Sequence, residues 1–248
     1  TSYTLNGTLG AELGAGEYVQ VSMDGGTTWV YATVSGTRWS YNDARTLADG
    51  DYRYQVRVVD QAGNVGATTT QDVTVDTQAP QYGVTIDSIS DDTGQSGSDF
   101  ITMDTTLTIN GSLGSALASD ERVQISLDGG NTWLDTTVTN QRWSYTDTRD
   151  LPDGDYTYQV RIIDQAGNVG STASQVVTVD TTPPTTVGTV VSYTDGEGER
   201  QGTFGSAVAT DDNSPLINGT LNRAPDDGEI VQLYRDGVLL GQVTMNGS

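Results

Sequence analysis

The stretch Val123-Gln124-Ile125-Ser126-Leu127-Asp128-Gly129-Gly130 alternates apolar and polar residues and ends in two glycines. On an extended chain Val123, Ile125 and Leu127 fall on one side, and Gln124, Ser126 and Asp128 on the other. That period of two marks a half-buried β-strand. Asp128-Gly129-Gly130-Asn131 then reads as a tight turn, because glycine supplies the positive φ that such turns need. The same pattern stands earlier as Val19-Gln20-Val21-Ser22-Met23-Asp24-Gly25-Gly26. Outward from this pair, residues 5–76 align with 109–180 without a gap at a constant offset of 104, and 44 of the 72 pairs are identical. Arg38-Trp39-Ser40-Tyr41 returns as Arg142-Trp143-Ser144-Tyr145. A partial third copy follows, in which Leu216-Ile217-Asn218-Gly219-Thr220-Leu221 parallels Thr108-Ile109-Asn110-Gly111-Ser112-Leu113. A fixed period of this kind marks a tandem array of like units.

The linkers set the boundaries. Val75-Asp76-Thr77-Gln78-Ala79-Pro80 and Val179-Asp180-Thr181-Thr182-Pro183-Pro184 occupy equivalent places. Proline ends a strand and biases its neighbours towards extended geometry, so a linker this short permits little swing. The expected units are 1–76, which lacks its first strand, 77–180, which is complete, and 181–248, which stops after about four strands. In the complete copy, strands are expected at 84–89, 107–111, 123–128, 133–138, 143–145, 156–162 and 176–179. About seven short strands in about 100 residues, with turns every 8–12, describe an immunoglobulin-like β-sandwich. Leu151-Pro152-Asp153-Gly154-Asp155-Tyr156 fits a tyrosine corner, where a Tyr at the start of a strand hydrogen-bonds back across the turn. The expected fold class is all-β, with tandem sandwich domains forming an elongated rod.

Composition agrees and excludes whole classes of function. Hydrophobic residues make up 34% of the 248, and 30 are glycine. No apolar run is long enough to span a bilayer, so membrane insertion is not expected. Acidic residues number 33 against 11 basic ones, a formal charge of −22. A surface this negative repels phosphate backbones, so nucleic acid is not an expected partner. Lys, His and Cys are absent. That removes disulfides, thiolate metal sites and the usual general bases and nucleophiles. A carboxylate pair could still hydrolyse glycosides, but it needs a cleft and a raised pKa, which repeated aspartates in solvated turns do not provide. No enzymatic activity is expected.

The motifs Asp60-Gln61-Ala62-Gly63-Asn64, Asp24-Gly25-Gly26-Thr27-Thr28-Trp29, Leu47-Ala48-Asp49-Gly50-Asp51-Tyr52 and the Val75–Pro80 linker all recur one period later. They resemble the bacterial Ig-like repeats of giant adhesins exported by type I secretion. The resemblance covers nearly the whole chain. It implies a secreted, cell-surface, calcium-stiffened stalk that holds a distal binding region away from the bacterium. The implied partners are adjacent repeats of the same chain and, through the parent protein, a host cell-surface glycan or receptor. The chain itself is expected to be monomeric.

Calcium takes six to eight hard oxygen ligands, and a chain rich in Asp but without His or Cys suits it better than zinc or copper. Strands alternate direction in a sandwich, so alternate loops gather at one pole. In the middle copy one pole collects Asp91, Asp92, Asp99 and Asp104 from the first long loop. It also collects Asp128, then Asp153 and Asp155, and Asp180 at the linker. At the first junction Asp164 and Asn168 are expected to face Asp49, Asp51 and Asp76. Each has a plainer reading. Asp24 and Asp128 stand where turns need them, the Asp-Gly-Asp pairs shape the corner, and Asp60 and Asp164 can cap their own loops. The third copy has a longer loop, Asp195-Gly196-Glu197-Gly198-Glu199-Arg200-Gln201-Gly202 with Asp211-Asp212-Asn213-Ser214, that offers a further calcium option.

Two other motifs carry a functional and a structural reading. Trp29, Trp39, Trp133 and Trp143 could stack on carbohydrate, but their recurrence at equivalent positions favours packing. Asn6-Gly7-Thr8, Asn110-Gly111-Ser112 and Asn218-Gly219-Thr220 match a glycosylation sequon, yet sit where strand-end or bulge chemistry explains Asn-Gly. A module that itself binds a glycan or receptor is the competing function. Such a site is expected to show as a feature of one copy only.

Overall fold

A computed structural model describes residues 3–245. Every regular element among them is a β-strand. No helix among the described residues is long and apolar enough to cross a membrane. The first copy contains β1 (Tyr3–Thr8), β2 (Glu17–Ser22), β3 (Val30–Tyr31), β4 (Thr33–Ser35), β5 (Arg38–Asp43), β6 (Gly50–Asp60) and β7 (Val65–Val75). The middle copy contains β8 (Val84–Ile89), β9 (Ile101–Thr102), β10 (Thr108–Leu113), β11 (Arg122–Ser126), β12 (Leu134–Asp135), β13 (Thr137–Thr139), β14 (Arg142–Thr146), β15 (Gly154–Ile163) and β16 (Val169–Val179). The third contains β17 (Gly188–Asp195), β18 (Gly202–Phe204), β19 (Leu216–Leu221), β20 (Gln232–Arg235) and β21 (Val238–Gln242). Residues 1–180 form one compact unit and 181–248 a second.

The middle copy is a two-sheet sandwich. One sheet runs β13-β14-β10-β8 and the other β12-β11-β15-β16-β9. Leu107, Ile109, Val123, Ile125, Val160, Ile162 and Val177 close the space between them and are fully buried. The expected strands appear, except that the one expected at 133–138 is split into β12 and β13, which pair in opposite sheets, and one short strand is added. The short β9 pairs in parallel with the end of β16, Thr178 against Ile101. Two residues are too few to register as a periodic pattern, so only the fold reveals this strand. The expected outward row of β11 also differs, because Gln124 and Ser126 are buried alongside Val123 and Ile125. Arg161 covers Gln124 with two hydrogen bonds to its Oε1, and Ser126 donates to Asp128 and accepts from Gly130 N–H.

Trp143 explains the Asn-Gly step. Its indole lies against Gly111 and its Nε1 donates to the Thr85 carbonyl at 2.9 Å. A Cβ at Gly111 would overlap both the indole and that carbonyl oxygen. The register between β10 and β8 shifts at Asn110/Gly111, a β-bulge. In the first copy Trp39 lies over Gly7 in the same way, but β1 is the edge of its sheet, β1-β5-β4, and Leu5 and Trp39 are only half-buried. The third copy repeats the shift at Asn218/Gly219 against β17. Its longer loop folds back, so that β18 pairs with β17 and Phe204 packs on Tyr193 with ring centres 5.8 Å apart.

Gly111→Ala should therefore cost the middle copy about 2 kcal/mol, as overpacking of a filled core does. Gly7→Ala should cost clearly less, because the half-exposed Trp39 can move aside. Calorimetry of the two variants tests this. Equal losses would mean that the indole does not enforce glycine.

Candidate metal centre at the domain junction

The linker after β7 is held from both sides. On the first copy's side, Asp49 Oδ1 accepts from Thr77 N–H (3.1 Å) and Oγ1 (2.8 Å), and Oδ2 accepts from Gln78 Nε2 (3.0 Å). The Gln78 amide and the Thr77 hydroxyl hold this carboxyl below its ordinary range. Asp76 accepts from Gln78 N–H, and Asp51 from Thr74 Oγ1. On the middle copy's side, Asn168 Nδ2 donates to the Asp76 carbonyl at 3.1 Å. Gly170 lies so close to the Pro80 carbonyl that a Cβ there would overlap it. Glycine is thus required where the incoming chain crosses the turn between β15 and β16.

Asp164 is buried and caps its own loop. Its Oδ1 accepts from Gly167 and Asn168 N–H, and its Oδ2 from Asn168 Nδ2. Burial pushes its pKa up, but the Asn168 and Gly167 donors outweigh this and hold it below the ordinary value. Its role here is to shape the loop that grips the linker. Asp60 makes the equivalent bonds to Asn64.

The long loop between β8 and β10 holds Asp91, Asp92, Asp99 and Asp104. Asp91 has φ of 44°, and its carbonyl accepts from Thr102 Oγ1 at 2.6 Å. Asp99 accepts from Ile101 N–H, and Asp104 from Thr106 N–H and Oγ1. Asp92 Oδ2 accepts from Phe100 N–H, but Asp92 Oδ1 is buried with no partner, alone in this among the described residues. Buried oxygens are normally satisfied, so this one asks for a donor or a cation. Asp155 accepts from Thr178 Oγ1, and Asp153 and Asp180 are each engaged by partners of their own. Among the described residues no three carboxylates converge as a metal-holding group. Most of these aspartates instead receive N–H and O–H donors within their own loop or linker.

The remaining motifs resolve as scaffold. Thr132 and Ser126 hydroxyls and the Thr132 N–H hold Asp128 to a pKa of about 2, which makes it a turn-capping residue, and Asp24 is held alike. The tyrosine corner forms: Tyr156 OH donates to the Pro152 carbonyl at 2.7 Å, and Tyr52 OH to Ala48. Trp143 belongs to the core. Trp133 and Trp29 do not. They lie on the outer sheet face under Arg161 and Arg57, whose guanidinium carbons sit 4.0 and 3.7 Å from the ring centres.

One constellation was missed by the sequence reading. Asp147 is buried between the sheets, where Arg149 grips both its oxygens and Tyr158 OH donates to Oδ2 at 2.8 Å. Asp43, Arg45 and Tyr54 repeat it. The strict recurrence of Asp-x-Arg with Tyr following was the available signal.

The fold and these sites define a class: tandem antiparallel sandwich modules with a gripped linker. The chain matches the bacterial Ig-like domain over residues 4–77 and again over 79–181, and it belongs to that family. No curated protein matches it. Among solved structures it is similar to the fibronectin(III)-like modules of Clostridium thermocellum CbhA, at 16% identity and a TM-score of 0.46, covering 72% of this chain and 85% of that one. It is also similar to a putative membrane anchored protein from Corynebacterium diphtheriae, at 16% identity and a TM-score of 0.28, covering 79% of this chain and about half (53%) of that one.

The buried carboxylates predict acid sensitivity. The Arg45 guanidinium beside Asp43 holds its pKa at about 2, despite burial. Asp147 is also lowered: burial pushes it up, and the Arg149 bonds more than offset that. A depressed folded pKa contributes stability that is complete above about pH 4 and is lost as pH falls towards 2. Asp147→Asn should cost about 2 kcal/mol at neutral pH, since it removes the charge-assisted hydrogen bonds that Arg149 and Tyr158 make to a buried carboxylate. It should also flatten the middle copy's acid limb. A pH series of thermal melts with an unchanged acid limb would remove Asp147 from this role.

Proposed function

We propose that this chain is a spacer segment of a large secreted surface protein, an adhesin stalk of the kind exported by type I secretion, stiffened by calcium. Domains of this family are typically structural modules rather than enzymes. The observation that carries the reading is the doubly gripped linker, with Asp49 holding it from behind and Asn168 and Gly170 from ahead. Near-identical domains joined by a held linker extend reach, which a surface protein needs and an intracellular binding module does not. In this reading the attachment to a host glycan or receptor is made by the parent protein. The acidic, histidine-free and cysteine-free surface suits an extracellular medium containing millimolar calcium.

The donor chemistry fits calcium best in the loop of Asp91, Asp92, Asp99 and Asp104. Every side-chain donor there is a hard oxygen, and Asp92 Oδ1 is the orphan. At the junction the fit is poorer. Asn168 presents its NH₂ group to the Asp76 carbonyl, and a cation there would need that amide turned so that its oxygen faces inward. Asp49, Asp51, Asp76, Asp153, Asp155, Asp164 and Asp180 would then serve as supporting ligands or as loop caps.

Magnitude sets what calcium does. A site with a dissociation constant of about 0.1 mM in about 1 mM calcium gains only about 1.4 kcal/mol. That shifts a junction equilibrium about tenfold while adding little heat stability to a domain. Titration of chelator-stripped protein should give saturable binding with a longer particle by small-angle scattering, and Asp92→Asn should remove one binding event. No binding up to about 5 mM calcium, weaker than extracellular sites of this type, would sink the calcium reading.

A further inference from the structure

One of the places where the first and middle copies differ is a coupled pair on the outer face of the sheet built around β2 or β11. In the middle copy Arg122 and Asp135 form an ion pair at 3.3 Å, and Gln124 Nε2 also donates to Asp135. At the equivalent positions the first copy has Tyr18 and Tyr31. Their rings meet edge to face, with centres 5.5 Å apart and planes at 64°. The contact covers neither, since Tyr18 remains 45% and Tyr31 64% exposed. They wall an open cleft of about 580 Å³ whose floor and rim are Gln20, Val59, Asp60 and Gln61. Val59 is buried at its base.

We propose that this cleft binds a neutral sugar residue. Two exposed aromatic rings at an angle offer one face for the C–H side of a pyranose and a wall for its edge. The polar lining selects the charge of the ligand. Gln20 Oε1 is taken by Arg57, so its amide N–H₂ and the Gln61 amide supply the mixed donors and acceptors that match sugar hydroxyls. Asp60 directs both carboxylate oxygens to Asn64, so it is not an open anchor for a cation. Arg57, which grips Gln20, is stacked on Trp29, and the chain carries a charge of −22, which disfavours sialylated or sulfated glycans. Aromatic walls with a few convergent polar groups are the usual make-up of a small-ligand site. The middle copy has an ion pair in place of the rings and so lacks these aromatic walls. The cleft needs no calcium, so its failure and that of the stalk reading are separable.

The test uses the whole chain and a soluble library of neutral oligosaccharides at millimolar concentration, read by saturation-transfer NMR with and without chelator. Binding to neutral sugars in both conditions is expected. Grafting the middle copy's pair, Tyr18→Arg with Tyr31→Asp, should weaken it at least tenfold while the thermal transitions stay in place. The reverse graft, Arg122→Tyr with Asp135→Tyr, should add a second site. Absence of any transfer signal overturns the proposal. So does equal binding by the Tyr18→Arg/Tyr31→Asp variant, or binding confined to anionic glycans or to basic peptides.

Discussion

In the first and middle copies a carboxylate buried between two sheets ties one to the other. Asp147 follows β14 in one sheet, and Tyr158 reaches it from β15 in the opposite sheet. Arg149 neutralises the charge from the half-exposed side. The chain has no cysteine, so no disulfide can bridge the sheets. A buried ion is costly alone, and the arrangement persists only because every oxygen of the carboxylate is matched by a donor. Tyr158 in turn is fully buried, and burial together with Asp147 pushes its phenol up, so it stays protonated as a donor.

The same scaffold then supports different outer surfaces. Trp133 under Arg161 and Trp29 under Arg57 are equivalent, as are the Gln124 and Gln20 amides that each arginine grips. One position further along the sheet, the copies diverge into an ion pair and a tyrosine pair. That divergence costs the fold little, since both pairs lie outside the core. A repeat family can therefore vary what it presents while keeping the gripped linker and the inter-sheet bond constant.

The linker grip shows how the aspartates divide their work. Asp49 and Asp164 are spent on hydrogen bonds that position the incoming chain. Among the described residues only Asp92 has a buried oxygen without a partner, and it lies in a loop that holds Asp91 and Gly94 at positive φ. The glycine at 170 belongs to the same device, because only a residue without Cβ lets Pro80 approach.

Much of this was legible from residue order alone. The period of two in Val123 to Leu127 placed a strand, Asp-Gly-Gly placed its turn, Leu-Pro-Asp-Gly-Asp-Tyr placed the corner, and the offset of 104 placed the repeat. These are local signals, set by backbone sterics and side-chain alternation. The site was less legible. Sequence could list the carboxylates of the loops but not their partners, because a hydrogen bond from Thr77, Gln78 or Asn168 depends on chains brought together from far apart. Nor could it separate Asp147, buried and paired, from aspartates in solvated turns. The short β9, the burial of Gln124 and Ser126, and the pairing of Tyr18 with Tyr31 were also decided only in the tertiary structure. Each depends on which strand lies beside which, and that is a property of the packed sheets rather than of any window of the chain.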